Sequence, residues 1–173
     1  VNLAHNALMF YYKTILKRRF LDIPFMKREQ RVKYAPSIEE IQRMIELTSN
    51  KKHKALIGTL AYSGLRASEC ISLKVEDVEW GKRQILVRQG KGKKDRYVIL
   101  PYNLEVILKN YIDFENGFIF PSRKSYITIR TVQEVVKQAA KKAKVRHISP
   151  HNLRHSFATN LVKKDVSTKS VQE

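Results

Sequence analysis

The stretch at 84–100, Gln84-Ile85-Leu86-Val87-Arg88-Gln89-Gly90-Lys91-Gly92-Lys93-Lys94-Asp95-Arg96-Tyr97-Val98-Ile99-Leu100, is where the chain changes period. Residues 84–88 and 96–100 are short and rich in β-branched residues, and they read as strands. Residues 90–95 hold two glycines and three lysines and read as the loop of an antiparallel hairpin. Pro101 ends the second strand. On either side the apolar residues recur at helical spacing. Ser37 with Glu40 three residues later is a capping-box signature and predicts a helix to about Leu47. A second helix is predicted over 52–63, with Ala55, Leu56, Ile57, Leu60 and Ala61 as its core side and Gly64 as its terminator. Arg66 opens a short helix through about Leu73. Downstream, helices are predicted over 103–114, 130–144 and 150–163, and a last one begins near Thr168. The expected fold class is mostly α with a small antiparallel β-sheet (α+β).

The N-terminal end stands apart. Residues 3–19 read as a helix with Leu3, Leu8, Phe10, Tyr11, Ile15 and Leu16 as its apolar positions, and nothing nearby completes a domain around it. Residues 1–20 are therefore expected to be the last helix of a truncated N-terminal domain. Residues 21–36, with Pro24, Pro36 and a basic run, form an interdomain linker. The compact domain is 37–173. Its single cysteine, Cys70, has no intrachain partner and reads as a small core residue. No Cys/His cluster has zinc spacing, and no apolar run approaches the ~18 residues of a membrane span. No zinc site and no membrane partner are expected, and the expected location is cytoplasmic.

The charge points to a polyanion. Lys and Arg number 34 against 16 Asp and Glu, a formal net charge of +18. The excess is clustered: 137–164 carries eight basic residues and no acid. Such a surface attracts nucleic acid and gives affinity by counterion release. Arg130, Lys137, Lys141 and Lys144, on one predicted helix, are candidates for DNA contact.

Three islands carry the chemistry. At 149–155, Ser149 is an N-cap, Pro150 suits the first helical position, and His151 and Arg154 share a face of the first turn. A helix N-terminus favours a phosphate, Arg154 adds a planar, permanently charged donor, and His151 can donate to oxygen or exchange a proton near neutral pH. His155 lies about 100° around the helix and is a supporting or structural residue. At 63–69, Arg66 sits at the turn between two helices. Glu69 is its partner or orients another catalytic side chain. At 89–96, Lys91 between two glycines can swing against a bound backbone and protonate a leaving oxygen; Lys93 and Lys94 compete for that role or touch phosphates only.

Together the islands resemble the catalytic domain of the tyrosine recombinase (phage integrase) family, most closely its Xer-like branch. YSGLRASECISLKVED at 62–77 is similar to the family's first box, GKGKKDRYVIL at 90–100 to its β-hairpin, and SPHNLRHSFATNL at 149–161 to its second box. Residues 1–20 are similar to the end of the family's core-binding domain. The resemblance implies Arg66, Lys91, His151 and Arg154 as catalytic residues and a tyrosine nucleophile that forms a 3′-phosphotyrosyl link. It also implies double-stranded DNA as partner, a tetrameric synapse and no cofactor.

One departure bears on activity. The tyrosines are at 11, 12, 34, 62, 97, 102, 111 and 126, and none lies downstream of Arg154. The nucleophile is expected beyond Glu173, so this chain alone is expected to bind DNA without cleaving it; Tyr62 and Tyr97 read as packing residues. The alternatives are a binding-only integrase relic, which has no need for all four catalytic residues, and a type IB topoisomerase, which uses similar residues. The short hairpin and small domain favour the recombinase.

Overall fold

The computed structural model describes residues 2–19, 34–88, 95–113, 117–123, 125–146 and 148–163. The expectations for Lys91, Lys93 and Lys94, for most of the linker and for a helix from Thr168 fall outside them. The chain divides into two compact units, Val1–Val32 and Lys33–Glu173.

The smaller unit is helical. Helix α1, Asn2–Phe10, runs into a wider π-type turn, Tyr11–Ile15, where Leu16 N–H donates to the Tyr11 carbonyl at 3.1 Å. The helix expected over 3–19 therefore stops short: Lys17 has left-handed backbone, with φ of 51°.

The larger unit is built around helix α3, Lys51–Tyr62, in which every residue from Ala55 to Ala61 is buried. Helix α2, Ile38–Glu46, enters through the capping box: Ser37 N–H donates to Glu40 Oε2 at 2.8 Å and Glu40 N–H to Ser37 Oγ at 3.2 Å. Helices α5 (Tyr102–Lys109), α6 (Ile129–Lys142) and α7 (Pro150–Lys163) also pack on α3. Their buried faces, including Leu104, Leu108, Val132, Val136 and Leu153, join one core with Leu56, Leu60 and Phe120. Cys70 is fully buried there, and burial pushes its thiol pKa up.

Beside this bundle lies the sheet. Strands β2, Gln84–Val87, and β3, Arg96–Ile99, are the expected antiparallel pair. A third strand, β1 at Val78–Glu79, pairs with β2 and makes the order β1-β2-β3. Two residues are too few to show a period, so β1 had no sequence signal. The register corrects one side chain. Tyr97 lies opposite Leu86, on the face turned from the core, and is 54% exposed instead of packed. Tyr62 is half-buried against the core as expected. Helix α5 is shorter than the 103–114 expected, and the short helix α4, Ala67–Ile71, ends before Leu73.

Two local features hold the ends of α3 and α7 in place. Ser63 closes α3 and Gly64 takes φ of +64°, which reverses the chain so that Leu65 is buried and Arg66 begins the next helix. The segment before α2 is bonded to α7: Asn152 Nδ2 donates to the Tyr34 carbonyl at 2.8 Å, and Ser156 Oγ donates to that of Pro36. A Cβ on Gly64 would be forced into the Phe157 ring as well as into a left-handed conformation. Gly64→Ala is expected to destabilise the protein by about 2 kcal/mol or more, measured by urea unfolding.

Candidate functional site

Four side chains from three distant parts of the chain meet at the end of α3. Arg66 is the residue before α4, and its backbone N–H donates to Glu69 Oε2 at 2.8 Å, as the third residue of a helix commonly accepts from its cap. Its Nη1 also donates to Glu69 Oε1 at 2.8 Å. Arg154 comes from the first turns of α7. The packing of α7 on α3 brings its Nη1 to the Gly64 carbonyl at 2.5 Å and within 4.0 Å of Glu69 Oε2. Arg96, at the start of β3, donates from both Nη1 and Nη2 to Glu69, at 3.1 and 2.9 Å.

Glu69 is thus at the floor of an arginine cluster, its side chain 9% exposed, with Arg96 at 22%, Arg154 at 32% and Arg66 at 41%. Burial by itself would raise the Glu69 pKa. The hydrogen bonds from Arg96 and Arg66 outweigh it and hold the carboxyl down at about 2. Arg154 is shifted the opposite way to a paired cation. Desolvation, and then the Arg66 charge beside it, lower its pKa, yet a guanidinium stays charged.

Above this floor is a cleft of about 490 Å³ lined by Arg66, Ala67, Ser68, Pro150, His151 and Arg154 among others. His151 is exposed at its mouth. His151 and Arg154, expected on one face of the first turn of this helix, both line the cleft. His155 is also exposed but does not line the cleft. The cap of α7 is built the other way round from the usual one: Ser149 N–H and Oγ both donate to Asn152 Oδ1, at 2.8 and 2.7 Å. The arrangement suits an oxyanion, with two guanidinium groups, a helix N-terminus and an imidazole facing one volume. Among the described residues, no group of three or more His, Cys, Asp and Glu is placed to hold a metal ion.

The DNA-contact candidates lie on the outer side of α6. Its Val132, Val135, Val136, Ala139 and Ala140 face the core, leaving Arg130, Lys137 and Lys141 exposed. Arg130 and Lys137 border a depression with Ser149 at the start of α7. Lys144 is exposed just beyond the helix, in left-handed backbone with φ of 54°.

Sequence reasoning missed Arg96. A strand pattern does not say where the first residue of a strand is aimed. The register does, because Arg96 lies opposite Val87, which is buried, and opposite residues share a face. A second arginine–carboxylate pair flanks the other stem: Arg88 Nε, just after β2, donates at 2.7 Å to Oδ1 of the buried Asp77.

Comparison with known proteins places these features. Residues 36–173 match the model of the phage integrase family. A tyrosine recombinase of Thermosipho africanus is 42% identical over 125 residues, 70% of this chain and 44% of that protein. The tyrosine recombinase XerA of Pyrococcus furiosus is 36% identical over 144 residues, 78% of this chain and 50% of the relative. The crystal structure of a XerA recombinase superposes with a TM-score of 0.75 at 31% identity, covering 99% of this chain and 64% of that one. The chain therefore spans about half the length of these two curated relatives.

The depressed Glu69 carboxyl sets an acid limit. A group whose folded pKa lies below its ordinary 4.5 contributes stability that is complete at neutral pH and is lost as pH falls toward about 2. Glu69→Gln should cost about 2 kcal/mol at pH 7, because charge-assisted bonds are lost and three arginines face one another. Its unfolding free energy should then depend less on pH between 4.5 and about 2 than the wild type's, as followed by circular dichroism.

Proposed function

The chain belongs to the phage integrase family, and on that premise we propose that its parent protein is a site-specific DNA recombinase. The observation that carries the reading is the convergence of Arg66, His151 and Arg154 on one cleft, from sequence segments about 90 residues apart. A tyrosine attacks the scissile phosphate, and the phosphorus–5′-oxygen bond breaks as a 3′-phosphotyrosyl bond forms. Attack by a 5′-hydroxyl reverses the step, so the bond energy is conserved and no cofactor is needed. Arg66 and Arg154 stabilise charge developing on the non-bridging oxygens. His151 assists proton and charge movement at the nucleophile, and Lys91 gives a proton to the departing 5′-oxygen.

The nucleophile is a tyrosine beyond Glu173. Of the six tyrosines in the larger unit, none lines the cleft. Burial, with the Glu40 hydrogen bond, pushes Tyr34 up to about 12, and burial does the same to Tyr111. With none of these six tyrosines in the cleft, they do not supply the nucleophile, and this chain binds DNA without cutting it. Residues 37–173 are the catalytic domain, 21–36 a linker and 1–20 the end of a core-binding domain. Double-stranded DNA is held by the basic face, with Arg130, Lys137, Lys141 and Lys144 on phosphates, and the protein works as a homo-oligomer, a tetramer in the synapse.

Full-length protein on a suicide substrate should give a covalent adduct on a denaturing gel. Arg154→Ala should lower adduct formation by about 10²–10³-fold while DNA affinity changes little, because one of many phosphate contacts is lost. Persistent cleavage with collapsed affinity would reverse that assignment. For this chain, replacing Lys137 and Lys141 by Ala should flatten the dependence of log affinity on log salt by about one unit each, alike on any duplex sequence.

A further inference from the structure

The position of Arg96 is unusual for a residue so close to an anion-binding cleft. It does not line the cleft, whereas Arg66 and Arg154 do. Both of its terminal nitrogens are directed to Glu69, in a two-point bond to Oε1 and Oε2. With the Arg66 backbone and Nη1 as the other donors, the Glu69 carboxylate receives four hydrogen bonds. Arg154 is left at 4.0 Å from Glu69 Oε2, and its Nη1 bonds the Gly64 carbonyl.

We infer that Arg96 is a positioning residue: by bonding both oxygens of Glu69 it keeps that carboxylate from closing on Arg154 and makes Arg66 share it, and so leaves positive charge at the cleft for an incoming phosphate. Glu69 lies within ion-pair distance of all three guanidinium groups. Without Arg96, its oxygens would be free to close on Arg154 and to hold Arg66 more fully. A phosphate would then have to displace a buried carboxylate from Arg154 and compete with it more strongly for Arg66. With Arg96 in place the three cations outnumber the one anion, and the excess falls on the two that face the cleft. Arg96 also ties the start of β3 to α4, while Arg88 ties the end of β2 to Asp77. Both stems of the hairpin are thereby fastened to the segment that begins with Arg66.

The consequence for DNA cleavage rests on the recombinase reading; the clamp on Glu69 does not. Both are separable by experiment. In this chain, Arg96→Gln should move the Glu69 side-chain titration, read by carbon-13 NMR, from about 2 toward the ordinary 4.5. It should also weaken binding of inorganic phosphate, read from His151 and arginine resonances, by about tenfold. Arg96→Lys keeps the charge without the fork and should recover part of both. In a Glu69→Gln background, Arg96→Gln should change phosphate affinity by less than about twofold, since Arg96 acts through Glu69. A Glu69 titration unmoved in a folded Arg96→Gln protein would overturn the inference. So would a full tenfold loss in the Glu69→Gln background, which would mean that Arg96 meets the anion directly. In the full-length protein, Arg96→Gln should slow adduct formation about tenfold with DNA affinity retained. A wild-type protein that forms no adduct would instead sink the recombinase reading, while the titration and the phosphate affinities still decide the clamp.

Discussion

A carboxylate taken out of water needs compensation for the hydration it loses, and Glu69 obtains it from three directions. Two of its bonds come from Arg66, which follows α3; two come from Arg96, at the start of β3; and Arg154, from α7, stands within 4.0 Å. The requirement that a buried negative charge be met at its oxygens by guanidinium groups ties these three parts of the chain to one another. The same requirement explains why the cluster is stable although like charges crowd it. Arg66 and Arg154 repel one another, and the Glu69 charge offsets part of that repulsion.

The apolar core supplies the rigidity on which this depends. Helix α3 is buried over seven consecutive residues, and α2, α5, α6 and α7 all pack against it. Its end, the Gly64 turn, is therefore a fixed point, and two of the features that matter are measured from it: Arg66 two residues on, and Arg154 bonded to the Gly64 carbonyl. Hydrogen bonds from Asn152 and Ser156 to the chain at 34–36 hold α7 from its other side. On the proposed reading the site binds a phosphate, and helix ends locked this way leave little ordering to be done on binding.

Charge acts here on two scales. The net excess over the whole chain draws a polyanion toward the surface without regard to sequence. Beside the cleft, the few ångströms between Glu69 and its partners set how the charge of three arginines is shared with one carboxylate. The exposed basic side of α6 belongs to the first scale, and the Arg66–Glu69–Arg96–Arg154 cluster to the second.

Much of this was written in the chain. The Ser37–Glu40 box, the apolar run ending in Gly64, the period-two hairpin and the Pro150 helix start are local, and local geometry is what side-chain spacing encodes. Arg66, His151 and Arg154 are each weak signals at a helix end and could be singled out only because their segments, in order, resemble the boxes of one family. The sequence by itself thus determined the main helices, the β2–β3 hairpin and the class of fold. Long-range register was not legible. The two-residue strand Val78–Glu79 is too short for a pattern, and its pairing with β2 is decided by the sheet. Tyr97 reads as a packing residue until the register turns it outward. Arg96 reads as the start of a strand until its partner across the ladder, Val87, shows that it points inward onto a glutamate 27 residues earlier. Only the tertiary structure decided these, because facing across a sheet and meeting a buried charge are properties of distance in space, and spacing along the chain carries no record of them.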